Sequence, residues 1–150
     1  MAAVCVDASL VMAWLLPEEL SAQAFALREL WERQDAELVA PPMLEIEVPS
    51  ALRQAAYRRR ITMGEGDEAL QAFLDMGIRI RQPTGLLSQA WNLGKAVNAP
   101  RLYDVYYLAL AEMEGCELWT ADRRFVNLVG SRSAPAKWLG NVSVSGGTSG

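Results

Sequence analysis

At 150 residues, 51% of them hydrophobic, the chain has the size of one domain with a sizeable core, and its net charge of −4 argues mildly against a protein that coats nucleic acid. It contains no histidine, which excludes a Ser-His-Asp triad, a Cys-His dyad and histidine-ligated zinc. Any hydrolysis must therefore rest on carboxylates, a metal, or both. The two cysteines show no CxxC spacing and read as small core residues of a reducing compartment. Neither the glycine fingerprint of dinucleotide folds nor a P-loop occurs. No apolar run reaches the roughly 18 residues that span a membrane, and no basic region opens the chain, so a cytoplasmic protein is expected.

The first element, "AAVCVDAS", is an apolar strand ending at Asp7, and "ASLVMAWLL" follows as a short helix stopped by Pro17. "PEELSAQAFALRELWERQ" has helical periodicity, with Leu20, Ala24, Leu27, Leu30 and Trp31 on one face. "AELVAPP" is a second strand. Helices are predicted from about Pro42 to Arg59 and from about Glu65 to Met76, with "GIRIRQ" as the third strand. "TGLLSQAWNLGKAVN" and "LYDVYYLALAEMEG" are helical, the latter ended by Gly115. "CELWT" is the fourth strand, "ADRRFVNLV" opens a short helix, and "NVSVS" is the expected last edge strand. Alternating strands and helices predict a three-layer α/β/α sandwich around a central parallel sheet of about five strands. Residues 1–140 read as a single domain, and 141–150 as the end of the edge strand plus a flexible Gly/Ser tail.

Ligands of open α/β sheets bind beyond the carboxyl ends of the strands, so acids at that edge are the candidates. Asp7 follows the first strand, Asp122 follows "ELWT", and Asp104 lies in the first turn of "YDVYYLALAE". Each has a plain structural explanation, since an acid at a helix start satisfies free N–H groups and suits the helix dipole. Parallel strands bring these caps to one edge, however, which makes them neighbours. Glu47 falls about 60° from Leu44 and about 40° from Ala51 on a helical wheel, beside the inward face, whereas Glu45 turns toward solvent. A carboxylate there needs a partner, either an arginine or a shared metal. An acid set without histidine suits a hard, oxygen-loving cation, Mg²⁺ or Mn²⁺.

"VCVDASLVMAWLLPEE", "APPMLEIEVPSALR", "YDVYYLALAE" and "LWTADRRF" resemble, in order and spacing, the four motifs of PIN-domain proteins, and most of all the VapC-type toxins of bacteria and archaea. The resemblance spans about residues 3 to 130. It implies a PIN-like fold and a metal-dependent endoribonuclease that leaves a 5′-phosphate and a 3′-hydroxyl. Carried over residue by residue, Asp7, Glu47, Asp104 and Asp122 match the four catalytic and metal-binding acids, with Asp122 the most peripheral and acting through a water. Ser9 and Thr120 match the small hydroxyl positions near the metal. Ser50 stands where the family commonly has asparagine, and Pro49 replaces a small residue, which puts a kink near Glu47. The resemblance further implies an RNA substrate, a small VapB-like antitoxin whose tail blocks the acidic pocket, and a homodimer.

The arginines divide between plain and sharper readings. Arg58 and Arg59, in a run with Arg60 at a helix end, are a solvated face or a phosphate or antitoxin contact. Arg123 and Arg124 are surface residues or RNA contacts. Trp14 is expected at a partner surface. Two other functions compete. A phospho-acceptor receiver is disfavoured because Asp7 has no adjacent acid and the only lysines are Lys95 and Lys137. A catalytically silent RNA- or protein-binding scaffold is disfavoured because all four acids are present. A nuclease of RNA processing, outside any toxin–antitoxin pair, shares every motif.

Overall fold

The computed structural model describes residues 2–130 and 136–144. The apolar run at the start of the chain becomes strand β1 (Ala3–Val6), and Cys5 and Val6 are fully buried. Asp7 caps helix α1 (Ala8–Leu15), its side chain accepting the Leu10 N–H. Leu16, the residue before Pro17, is extended and ends that helix, as the steric demand of proline requires. Helix α2 (Ser21–Arg33) and strand β2 (Glu37–Ala40) follow, then helices α3 (Leu44–Tyr57) and α4 (Met63–Leu74). A reciprocal capping box between Thr62 and Glu65 starts α4. Strand β3 (Arg79–Ile80), helix α5 (Leu86–Ala96), helix α6 (Tyr103–Glu114), strand β4 (Glu117–Thr120), helix α7 (Arg123–Val129) and strand β5 (Ala136–Trp138) complete the order, with a 3₁₀ turn over Leu139–Asn141. Gly115, at φ 66°, supplies the left-handed residue that ends α6 just before β4.

All strand pairs are parallel, and the sheet runs in the order β3-β2-β1-β4-β5. The expected parallel sheet of five strands and its flanking helices are borne out. The register aligns the ends of the two central strands. Cys5 stands opposite Leu118 and Val6 opposite Trp119, so the next step along both strands sets Asp7 against Thr120. The Cys5 thiol lies 3.6 Å from the Tyr107 carbonyl, which marks this side of the sheet as the α6 face. Trp119, next along β4, meets Trp31 of α2 edge-on at 6.2 Å on the other side. Each face carries a continuous buried layer, and a fully buried Leu or Val contributes about 1.5–3 kcal/mol.

Three expectations are corrected. The fifth strand is Ala136–Trp138, paired with Leu118–Thr120, not "NVSVS", in which Asn141 closes the 3₁₀ turn and Val142–Val144 carry no strand. The β-branched alternation of "NVSVS" is the stronger local signal, but only the earlier segment lies in reach of β4. Leu30 is exposed, while Ala24, Leu27 and Trp31 form the buried stripe of α2. Trp14 is buried rather than offered to a partner. Its ring packs perpendicular to Trp31, and its Nε1–H donates to the Ala24 carbonyl at 2.6 Å. The Gly/Ser residues 145–150 lie outside the described residues.

Candidate active site

The sheet changes direction between β1 and β4. The chain leaves β1 toward β2 and β3 on one side and later returns to β4 and β5 on the other. Such a switch point leaves a crevice at the carboxyl ends of its two strands. Asp7 follows β1 there, Thr120 ends β4, and Ala121 and Asp122 come directly after it.

Asp7 is the most constrained of the four acids. It is 7% exposed, and its Oδ1 accepts the Leu10 N–H at 2.9 Å and the Ser9 hydroxyl at 2.7 Å. Ser9 also lies 3.2 Å from the Thr120 hydroxyl and accepts the Ala121 N–H at 2.9 Å, and Thr120 accepts the Asp122 N–H at 3.0 Å. These two hydroxyls stitch the end of β1 to the turn after β4. Burial raises the Asp7 pKa from an ordinary 3.8 to about 6, with the Asp104 charge adding to it. The hydrogen bonds from Thr120, Leu10 and Ser9 oppose the rise.

Glu47 lies half-buried on the first turn of α3, where Leu44 and Val48 turn inward and Glu45 turns outward, as the helical wheel predicts. Helix α3 continues through Pro49. The Tyr107 hydroxyl donates to Glu47 Oε1 at 2.5 Å. Burial raises the Glu47 pKa, the Tyr107 bond lowers it, and the Asp104 charge raises it again. Asp104, on the first turn of α6, is solvent-accessible on one side, yet desolvation on the other raises its pKa. The Asp122 charge adds to that rise, and Arg101 offsets part of it. Asp104 thus senses the other three acids and joins them electrostatically.

Asp122 does cap α7, with Oδ1 accepting the Arg124 and Phe125 N–H groups at 3.0 and 3.3 Å. Arg123 does not turn toward the acids. Its guanidinium lies 4.9 Å from the Trp138 ring centroid. Arg124 is exposed. Arg58 and Arg59 sit at the far end of α3, roughly 16 Å along the axis from Glu47, so any RNA contact they make is remote from the carboxylates. Ser50 is exposed and makes no side-chain hydrogen bond with any described residue.

Two residues escape the sequence reading. Tyr107 secures Glu47, and Arg101 lines a cavity of about 410 Å³ together with Glu47 and Asp104. The signal lies in "RLYDVYY", where Arg101 and Tyr107 stand three residues either side of Asp104. Tyr107 lies one turn beyond Asp104 on α6, and Arg101 lies in the bend just before that helix.

Among the described residues none of the four acids forms a salt bridge, and no three acidic or cysteine side chains close on a common point. The donor set still fits a hard divalent cation. It is all oxygen, it concentrates uncompensated negative charge at one edge, and Mg²⁺ commonly takes only one or two carboxylates, filling its remaining positions with waters and phosphate oxygens.

A parallel sheet with acids gathered at its switch point defines a class. Residues 4–130 match the PIN domain, and the chain belongs to the PIN-domain family. The resemblance carried by the four motifs is borne out. Ribonuclease VapC9 of Mycobacterium tuberculosis is 32% identical over 121 residues, covering 81% of this chain and 87% of that protein. VapBC2 of Rickettsia felis, solved bound to a DNA fragment from its promoter, matches with a TM-score of 0.67 at 10% identity, over 90% of this chain and 97% of that one. VapC20 of Mycobacterium tuberculosis, a sarcin-ricin loop cleaving toxin, matches with a TM-score of 0.58 at 19% identity, over 81% and 92%. At such identities the two structures speak for the fold alone.

Proposed function

We propose that this chain is a Mg²⁺- or Mn²⁺-dependent endoribonuclease, the toxin of a toxin–antitoxin pair, and that it leaves a 5′-phosphate and a 3′-hydroxyl. One observation carries the reading: Asp7 is a buried carboxylate at the sheet's switch point, within reach of the Asp104 charge and paired to no cationic side chain among the described residues. An unpaired buried charge is costly, and a divalent cation offsets that cost. The VapC names of the relatives support the toxin assignment.

Asp7 and Asp104 would be the principal ligands of the cation, Glu47 the third, and Asp122 would act through a water. When bound, the cation lowers the pKa of a coordinated water and stabilises the charge that builds on the phosphate. The chain's own task is orientation. Ser9 and Leu10 fix Asp7 Oδ1, Tyr107 fixes Glu47, and Thr120 ties the β4 turn to the same network. Preorganised ligands of this kind need no rearrangement as charge develops. Among the described residues no helix is long and apolar enough to cross a membrane. By the same proposal the chain is a cytoplasmic homodimer whose acidic edge a small VapB-like antitoxin covers.

The test is cleavage of a single-stranded RNA by purified protein with Mg²⁺ or Mn²⁺, and its loss in EDTA. Asp7→Asn and Asp104→Asn are expected to lose at least about a hundredfold in rate. Wild-type activity in either variant rejects the assignment.

A further inference from the structure

The cavity beside the acids has walls of opposite character. Glu47 and Asp104 line it together with Arg101 and Tyr103, and Phe125 and Leu128 complete its apolar part. Its volume, about 410 Å³, lies within the range of small-ligand sites. The Arg101 guanidinium forms no salt bridge or hydrogen bond with any described residue. It rests 6.0 Å from the centre of the Tyr103 ring. Tyr103 is 56% exposed, and Leu128, which lines the same cavity, is 42% exposed. A guanidinium that acts on Asp104 through its charge but is hydrogen-bonded to no described residue, beside an exposed aromatic ring, has donors to spare for a ligand. Neither contributes to the core.

We propose that this cavity seats one nucleotide of single-stranded RNA beside the cleaved bond, its phosphate on Arg101 and its base against Tyr103. The inference rests on the ribonuclease reading and names how that site holds its substrate. The guanidinium offers a planar fork that matches phosphate oxygens in pairs. The ring offers a stacking face, which every base can use, so the seat tolerates any sequence. The 6.0 Å between them is the scale of the phosphate-to-base separation within one nucleotide. Arg101 also supplies the positive charge that lets a polyanion approach an edge crowded with carboxylates.

The experiment compares wild type with Arg101→Gln, Arg101→Lys, Tyr103→Ala, Tyr103→Phe and Arg33→Gln, the last on α2 and away from the cavity. Cleavage of a short single-stranded RNA with Mn²⁺ gives kcat and KM, and anisotropy of fluorescein-labelled hexauridylate in EDTA gives Kd across a salt series. Arg101→Gln is expected to raise KM and Kd about tenfold, with kcat changing less, and to cut the salt slope by about 0.7. Arg101→Lys restores the slope and only part of the KM. Tyr103→Ala is expected to weaken binding about tenfold, with Tyr103→Phe and Arg33→Gln within about twofold of wild type. If wild type cleaves RNA while Arg101→Gln and Tyr103→Ala keep its KM, Kd and salt slope, the nucleotide seat is overturned and the ribonuclease stands. If Arg101→Gln instead tightens RNA binding, the cavity is built for a cationic partner and the proposal falls. If wild type neither binds nor cleaves RNA, the ribonuclease reading fails and the seat fails with it.

Discussion

Replacing Asp7 by asparagine is expected to stabilise the metal-free protein while abolishing its activity. In the folded chain the Asp7 carboxyl titrates near 6 instead of its ordinary 3.8, because burial outweighs its hydrogen bonds. At 1.36 kcal/mol per unit the shift is worth about 3 kcal/mol. The folded state holds this proton more tightly than the unfolded state does. Stability therefore falls as pH rises from about 4 to about 6, and the whole cost is present above that window. Asparagine stays neutral throughout and keeps an oxygen for the Leu10 N–H and the Ser9 hydroxyl. Its new amide group must find an acceptor, which leaves a net gain of about 1–2 kcal/mol, or about 3–6 °C in Tm for a chain of this size. Thermal melts in EDTA measure it. The variant melts above wild type at pH 7.5, and the gap closes toward pH 4. Saturating Mn²⁺ reverses the order, because the folded wild type gains about 2.7 kcal/mol at a hundred times its Kd and the variant does not. A variant less stable than wild type at pH 7.5 in EDTA, or a gap that stays constant with pH, refutes the account of Asp7.

Tyr107→Phe removes the donor to Glu47 and leaves the ring in place, so Mn²⁺ affinity by calorimetry should drop about three- to tenfold and cleavage should slow with it, while Tm moves little. Unchanged metal affinity would show that Glu47 needs no anchor. Thr120→Val keeps a fully buried β-branched shape but strands the Asp122 N–H, for a cost of about 1–3 kcal/mol read as a Tm lower by about 3–10 °C. Gly94→Ala would place a Cβ 2.8 Å from Leu102 Cδ2. Leu102 precedes Tyr103 and Asp104, so kcat/KM should fall several-fold, while denaturant titration shows a loss near 1 kcal/mol.

What the sequence disclosed of this molecule follows the range of the forces involved. Asp7, Glu47, Asp104 and Asp122 were legible because each is tied to a local signal: a cap, a helical wheel, the end of an apolar strand. The parallel sheet was legible because the first, second and fourth strands are largely apolar runs, the third alternates isoleucine with arginine, and each lies beside a helix signature. The fifth strand was not, since "AKW" has no strand pattern of its own and pairs only because Leu118–Thr120 presents an open edge to it. The Tyr107–Glu47 bond joins helices 60 residues apart, and nothing in either segment announces the other. Arg101 looked like one surface arginine among twelve until the fold put a cavity beside it. Arg123 pointed to RNA by position alone, and its contact with Trp138 depends on that same late strand.

The hydroxyl link between Ser9 and Thr120 spans 111 residues, and the strands it joins are the two central ones. Closing so long a loop is slow and comes late in folding. During synthesis, which proceeds from the N-terminus, Asp7 emerges early but has no β4 beside it until most of the chain has been made. A nascent or truncated chain thus carries the first acid without the edge that makes it a site. On the proposed ribonuclease reading, strand order acts as a timer: the site is complete only after β4 has been made, when most of the message has been read.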